Sequence, residues 1–177
     1  MRAHYVDLHR EASLQDKLSE EGYLPSRDQL KELRQAVEAE LPKMSTMDTA
    51  DIRRGDAVKM RRLLTSAILL QNFQRSGTIK NATIEECQNM NHAVIRVRDH
   101  KSCATYGSAN LVVDGLEEFI HGYVERFKPH LATRVGKDRL LFPSSDPAED
   151  LAEVYRAFKL NFTLTPTILR KAASTAA

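Results

Sequence analysis

Leu63-Leu64-Thr65-Ser66-Ala67-Ile68-Leu69-Leu70, the heart of a run from Asp51 to Phe73, is the stretch on which the fold turns. The first part of that run is basic, with Arg53, Arg54, Lys59, Arg61 and Arg62; the second is apolar on nearly every side of a helical wheel. A helix with one apolar stripe lies on a core, whereas one that is apolar all round runs through it. The run therefore predicts a central buried helix with other elements packed about it.

Those elements can be read on both sides. Upstream, Ser26 and Gln29 form an N-cap and N3 pair, and Leu30, Leu33, Val37 and Leu41 recur at helical spacing as far as Pro42. A more polar helix is expected over residues 8–20, closed by Gly22, and residues 43–50 read as a linker. Downstream, Gly77 is expected to take the left-handed position past the central helix. Thr83 and Glu86 form a second capping pair, for a short helix over 84–90. Then the period changes. His92-Ala93-Val94-Ile95-Arg96-Val97-Arg98-Asp99 alternates and is rich in β-branched residues, which predicts a strand. Ser102 to Val113 predicts one or two further strands about a turn at Gly107.

Three more helices follow. Asp114 and Glu117 are read as caps for a face of Leu116, Phe119, Ile120, Tyr123, Val124 and Phe127, stopped by Pro129. Asp146-Pro147-Ala148-Glu149 is a helix start with proline at the first position, leading to a stripe of Leu151, Val154, Tyr155 and Phe158. Thr165-Pro166 opens the last. The expected fold class is mainly α with a small antiparallel β-sheet (α+β). Two regions are expected: a helical segment over 1–47, and a domain over 48–177.

Composition narrows the function. Of 177 residues, 42% are apolar, enough for a core, and 28% are charged. Trp is absent and aromatics are only 6%, which argues against base-stacking platforms for single strands. No apolar run approaches the roughly 20 residues that span a bilayer, and Met1-Arg2-Ala3-His4-Tyr5 leads into no signal-peptide core. An intracellular protein is expected, nuclear if eukaryotic, with no membrane partner. Cys87 and Cys103 have no metal-ligand spacing; a disulfide is open on count, and reduced thiols are the expectation. No His or Cys pairs suggest a metal site, and no cofactor is expected. Residues 1–50 carry 7 Lys/Arg against 10 Asp/Glu, and residues 51–177 carry 19 against 14. A mildly basic body with a mildly acidic arm suits a nucleic-acid-facing surface, and equally suits ordinary solvated helix faces.

Three cations stand at positions where the local pattern would hold them. Arg75 follows the most apolar helix, in Phe73-Gln74-Arg75-Ser76-Gly77, and its planar fork suits two phosphate oxygens. Lys101 lies in the hairpin, where an ammonium can reach into a groove and donate a proton. Arg170 lies three residues after Thr167 on the last helix, so the two share a face. Singly, each reads as an ordinary solvent-facing cation.

In order, these segments resemble the tyrosine recombinase (phage integrase) family, over roughly residues 51–177. That family's first box is an apolar helix ending at an arginine turn, matched by Phe73-Gln74-Arg75-Ser76-Gly77-Thr78-Ile79; a hairpin lysine follows, matched by Lys101. Its second box, Thr-Pro-His-x-Leu-Arg-His, stands here as Thr165-Pro166-Thr167-Ile168-Leu169-Arg170-Lys171. The Gln-Arg-Ser-Gly turn is similar to the divergent members of eukaryotic mobile elements, the Crypton type.

The resemblance implies a DNA-binding protein of recombination or integration, with duplex DNA as partner and a homo-oligomer assembled on it. Arg75 and Arg170 would hold the oxygens of the scissile phosphate. Lys101 would protonate the departing 5′-hydroxyl, and Lys171 would add a DNA-binding cation. Thr167 stands at the family's histidine, where it can hydrogen-bond a phosphate but cannot act as an acid or base near neutral pH. All the tyrosines (Tyr5, Tyr23, Tyr106, Tyr123, Tyr155) precede Arg170, so none stands at the nucleophile position. The expectation is a recombinase-like catalytic domain that is incomplete at its C-terminus and inactive in strand cleavage. Residues 1–47 would be a remnant of the family's helical core-binding domain. An α-helical interaction or regulatory module without nucleic-acid contact accounts for the same helices, as does a recombinase whose remaining part lies beyond Ala177.

Overall fold

Helix α1 (Arg27–Ser45) begins at the cap its sequence announces: Ser26 Oγ accepts Gln29 N–H at 3.1 Å, and Gln29 Oε1 accepts Ser26 N–H at 2.8 Å. The computed structural model describes residues 24–73, 76–99, 104, 107–131, 135–159 and 164–175. The helix expected over 8–20 lies outside them. Pro42 does not end α1, as its sequence had suggested. The helix runs one further turn to Ser45, because that turn buries Met44 beside Leu33, Val37 and Leu41. Full burial of such a side chain stabilises by about 1.5–3 kcal/mol, enough to offset the backbone donor a proline lacks.

Helix α2 (Arg54–Asn72) is the axis of the protein. Met60, Leu63, Leu64, Ala67, Ile68, Leu69 and Leu70 are all buried, so the all-round apolar run does pass through the core. α1 packs along one side of α2 and α6 (Pro147–Ala157) along another, and strand β2 (Ala109–Val112) meets its end. Residues 45–51 are a turn and a 3-10 helix (Thr49–Asp51) rather than an open linker. Arg126 holds that turn by donating to Ser45 O at 2.9 Å, to Thr49 Oγ1 at 3.0 Å and to Met47 O. α1 and α2 contribute to one apolar core.

The turn after α2 departs from expectation. Phe73, at φ 52°, takes the left-handed position, while Gly77 lies within the short helix α3 (Ser76–Asn81). A left-handed non-glycine residue costs about 1–2 kcal/mol. The neighbouring amides supply the compensation. Asn72 Nδ2 donates to Val112 O at 2.7 Å and its Oδ1 accepts Val112 N–H at 2.7 Å, while Gln71 Nε2 donates to Asp114 O at 2.9 Å. Asn72 thereby satisfies the two backbone groups that Val112 turns away from its partner strand, and so covers an open sheet edge.

β1 (Val94–Val97) pairs antiparallel with β2, from Val94↔Val112 to Val97↔Ala109. Ile95, Val97 and Leu111 point into the core. The described residues contain these two strands, and the possible third falls on the stretch about residues 100–106, largely outside them. Helix α4 (Ile84–Gln88) carries its expected cap: Thr83 Oγ1 accepts Glu86 N–H at 3.2 Å and Glu86 Oε2 accepts Thr83 N–H at 3.0 Å.

Helix α5 (Glu117–Gly122) starts differently from its reading. The cap residue is Leu116 and makes no side-chain bond, so Asp114 and Glu117 do not form a capping pair. The chain instead enters through Gly115 at φ 75°, a conformation open to glycine without a Cβ clash. Past Gly122 the helix widens into a π turn (Tyr123–Phe127), then tightens to a 3-10 turn (Lys128–His130) that contains Pro129. Tyr123 and Phe127 are both fully buried, and the Tyr123 ring lies 5.4 Å from that of Phe142. α6 begins at Asp146, whose carboxylate accepts Ala148 N–H at 3.1 Å, with Pro147 at the first position as expected. The last element is α7 (Pro166–Thr175). The whole is mainly helical with one small antiparallel sheet, and no helix among the described residues is long and apolar enough to cross a membrane.

Candidate nucleic-acid interface

Of the residues singled out in the sequence, Thr167, Arg170 and Lys171 are described, while Arg75 and Lys101 lie outside the described residues. α7 is held by its inner face: Leu164, Ile168, Leu169 and Ala172 are buried. Thr165 Oγ1 accepts Ile168 N–H at 3.2 Å, the N-cap that the Thr-Pro pair predicted. Thr167 is exposed and Arg170 half-buried, one turn apart on the outer side. Arg170 Nη2 donates to Thr167 Oγ1 at 3.4 Å, so the guanidinium leans back toward the helix start, the direction long helical side chains take. Lys171 is partly buried and has an interaction of its own. The fork of Arg170 and the hydroxyl of Thr167 together offer donors for an oxyanion at the N-terminal turn, where the backbone amides also favour negative charge.

α7 lies beside the end of α2. Ala172 and Ala173 share a cleft of about 420 Å³ with Leu70, Gln71 and Phe73, and with Leu30 and Arg34 of α1. The two residues that follow the second sequence box thus share this cleft with Phe73, the first residue of the first box. The signal missed in the sequence is Gln71-Asn72. Two amides after an apolar run read as a fraying helix end, yet they are the clamps that fix this end to β2.

A second polar cluster was not anticipated at all. Arg61 Nη2 donates to Asp150 Oδ1 at 2.9 Å, while Asp150 Oδ2 accepts Thr65 Oγ1 at 3.1 Å and Ser145 Oγ at 2.7 Å. Both charged side chains are nearly sealed from solvent, and the pair joins α2 to α6. Arg62 Nε stands 3.8 Å from the same carboxylate. Asp150 thus uses both oxygens, the condition under which a buried carboxylate remains tolerable. In sequence Arg61 is one of a basic cluster and Asp150 lies 89 positions away; only the α2–α6 contact unites them.

Tyr123 lies close to this pair. Burial pushes its phenol well above the usual tyrosine range, an effect the Arg61 charge opposes and the Asp150 charge reinforces. Its hydroxyl makes no hydrogen bond among the described residues. Because the folded state holds this proton more tightly than the unfolded chain, stability is full below the unfolded pKa of about 10. It falls as pH rises above that, by up to about 1.4 kcal/mol per pH unit. Tyr123→Phe is expected to remove this alkaline slope while changing stability at pH 7 by less than about 1 kcal/mol, since no bond is lost. Urea midpoints of both proteins from pH 7 to 11 measure it, and an unchanged slope in the variant would refute the assignment.

Comparison with known protein families, curated proteins and solved structures finds no match for this chain.

Proposed function

We propose that this protein binds duplex DNA as a tyrosine-recombinase-like domain, with Arg75, Lys101 and Arg170 gathered on one backbone phosphate and Thr167 and Lys171 beside them. The observation that carries the reading is the setting of α7. Its inner face is buried, Ala172 and Ala173 line a cleft with Phe73 at the end of α2, and its outer face offers Arg170 and Thr167 at a capped helix start. Support comes also from the order of the two boxes about a hairpin, and from the burial of the central helix that leads into the first box. Bidentate arginine contacts to a phosphate are charge-assisted and short, and they position DNA without reading its bases. Binding is therefore expected to be strongly salt-dependent and weakly sequence-dependent at these contacts.

Fluorescence anisotropy with a labelled duplex tests this. The Arg75→Ala/Lys101→Ala/Arg170→Ala variant is expected to bind more weakly and, because the three cations share one phosphate, to lose about 0.9 from the log–log salt slope. A double-mutant cycle between Arg75→Ala and Arg170→Ala is expected to be non-additive if the two share one phosphate. Equal affinity of parent and triple variant, with both folded, would refute the reading.

A further inference from the structure

The outer face of β1 carries two arginines that the boxes do not include. Alternation sends Ile95 and Val97 inward, and leaves Arg96 and Arg98 exposed on the other side. Residues two apart on an extended strand are separated by about 7 Å. Facing them is a segment that reaches this place by backbone pairing. Ile84 N–H donates to Arg139 O at 3.0 Å and Leu141 N–H to Ala82 O at 2.8 Å, so residues 139–141 are stitched to the turn between α3 and α4. That pairing sets Lys137 and Arg139 along a groove of about 820 Å³, which Lys80 of α3 also lines. In sequence the lining runs over Lys80 to Asp99, then Asn110, and then Lys137 to Leu140.

Five cations therefore line one concavity: Lys80, Arg96, Arg98, Lys137 and Arg139. All are exposed, and none has a side-chain ion pair or hydrogen bond among the described residues. The acids that share the groove do not neutralise them. Glu86 accepts Thr83 N–H at 3.0 Å and Arg98 N–H at 2.9 Å, and with Glu85 and Asp99 it sets three carboxylates against five positive charges. Elsewhere on the surface cations do find acids, as in the pairs of Arg34 with Glu38 and Lys43 with Glu40. The groove shares Lys80 and Lys137 with an adjoining cleft of about 470 Å³, which Arg62 lines together with Asp146 and Glu149. Unpaired like charges along a concave track repel one another, and a polyanion relieves that repulsion while releasing its counterions. Among the described residues the lining holds no Phe, Tyr or Trp, and its one ring is that of His92, so the groove offers little stacking to unpaired bases.

We infer that this groove is a second phosphate-backbone contact for duplex DNA, separate from the Arg75–Lys101–Arg170 set and serving affinity rather than chemistry. The inference rests on the DNA-binding reading above. The test uses the full chain, a labelled duplex and a single strand of equal length. Lys80→Ala/Arg96→Ala/Lys137→Ala/Arg139→Ala is expected to weaken duplex binding at least tenfold and to lower the salt slope by about 0.9 per lost contact, roughly 3–4 in all. All four residues are exposed, so thermal unfolding should match the parent. As an independent readout, saturating duplex is expected to slow acetylation of Lys80 and Lys137, mapped by mass spectrometry, relative to exposed Lys31.

Unchanged affinity, slope and acetylation in the presence of a binding-competent parent overturn the groove while leaving the Arg75–Lys101–Arg170 set standing. A parent that does not bind duplex overturns both. Tighter binding of the single strand than of the duplex overturns the assignment of the groove to duplex DNA.

Discussion

Asp150→Ala is expected to destabilise the protein by about 3–5 kcal/mol, a large part of the 5–15 kcal/mol typical of a domain. The substitution leaves the Arg61 guanidinium buried without its carboxylate, and strips Thr65 and Ser145 of their acceptor. It also loosens the most extensive helix–helix contact among the described residues, that of α6 along α2. Urea unfolding followed by circular dichroism would show the midpoint fall with little change in slope. The instructive comparison is the double variant Arg61→Met/Asp150→Leu. Replacing both charges with apolar groups of similar size removes the desolvation cost along with the attraction, so it should recover most of the loss. If Asp150→Ala costs less than about 1 kcal/mol, the pair is open to water in solution and is not a buried clasp.

Leu64→Ala and Leu69→Ala are each expected to cost about 2–5 kcal/mol. At about 100° per residue the two side chains leave α2 about 140° apart, and both are fully buried. On a helix that merely lay on a core, one of the two would face solvent and its truncation would cost a few tenths of a kcal/mol. Similar losses at both sites would establish by experiment that the helix is surrounded. A neutral effect at either would mean that one side of α2 is uncovered. Because the residues are five apart on one helix and share neighbours, the double variant need not be additive.

How much of this was legible beforehand depends on how local the physics is. The caps at Ser26, Thr83 and Thr165 were readable, because a hydroxyl and an amide three residues away settle the matter between themselves. The buried α2 was readable because burial on every side leaves no polar face in the sequence. Where reading failed, a distant group had intervened. Met44 drew α1 past Pro42, and Asn72 found Val112 and so set the left-handed turn at Phe73 rather than at Gly77. Leu116 took the cap that Asp114 and Glu117 had seemed to supply, with Gly115 making the turn.

The same division runs through the candidate site. The box residues are contiguous in sequence, so their order alone suggests the recombinase-like reading of Arg75, Lys101 and Arg170. The groove of Lys80, Arg96, Arg98, Lys137 and Arg139 is assembled from three separated segments joined by the Thr83–Leu140 bridge. The Arg61–Asp150 clasp likewise joins distant segments, its members standing 89 positions apart. By itself the sequence determined most of the described helices, the caps at Ser26, Thr83 and Thr165 and the mixed α+β class, because each follows from side chains within a turn or two of one another. Only the tertiary structure decided which charges were buried as partners and which were left lining a groove. Pairing requires proximity, and proximity between distant segments is set by how the core closes.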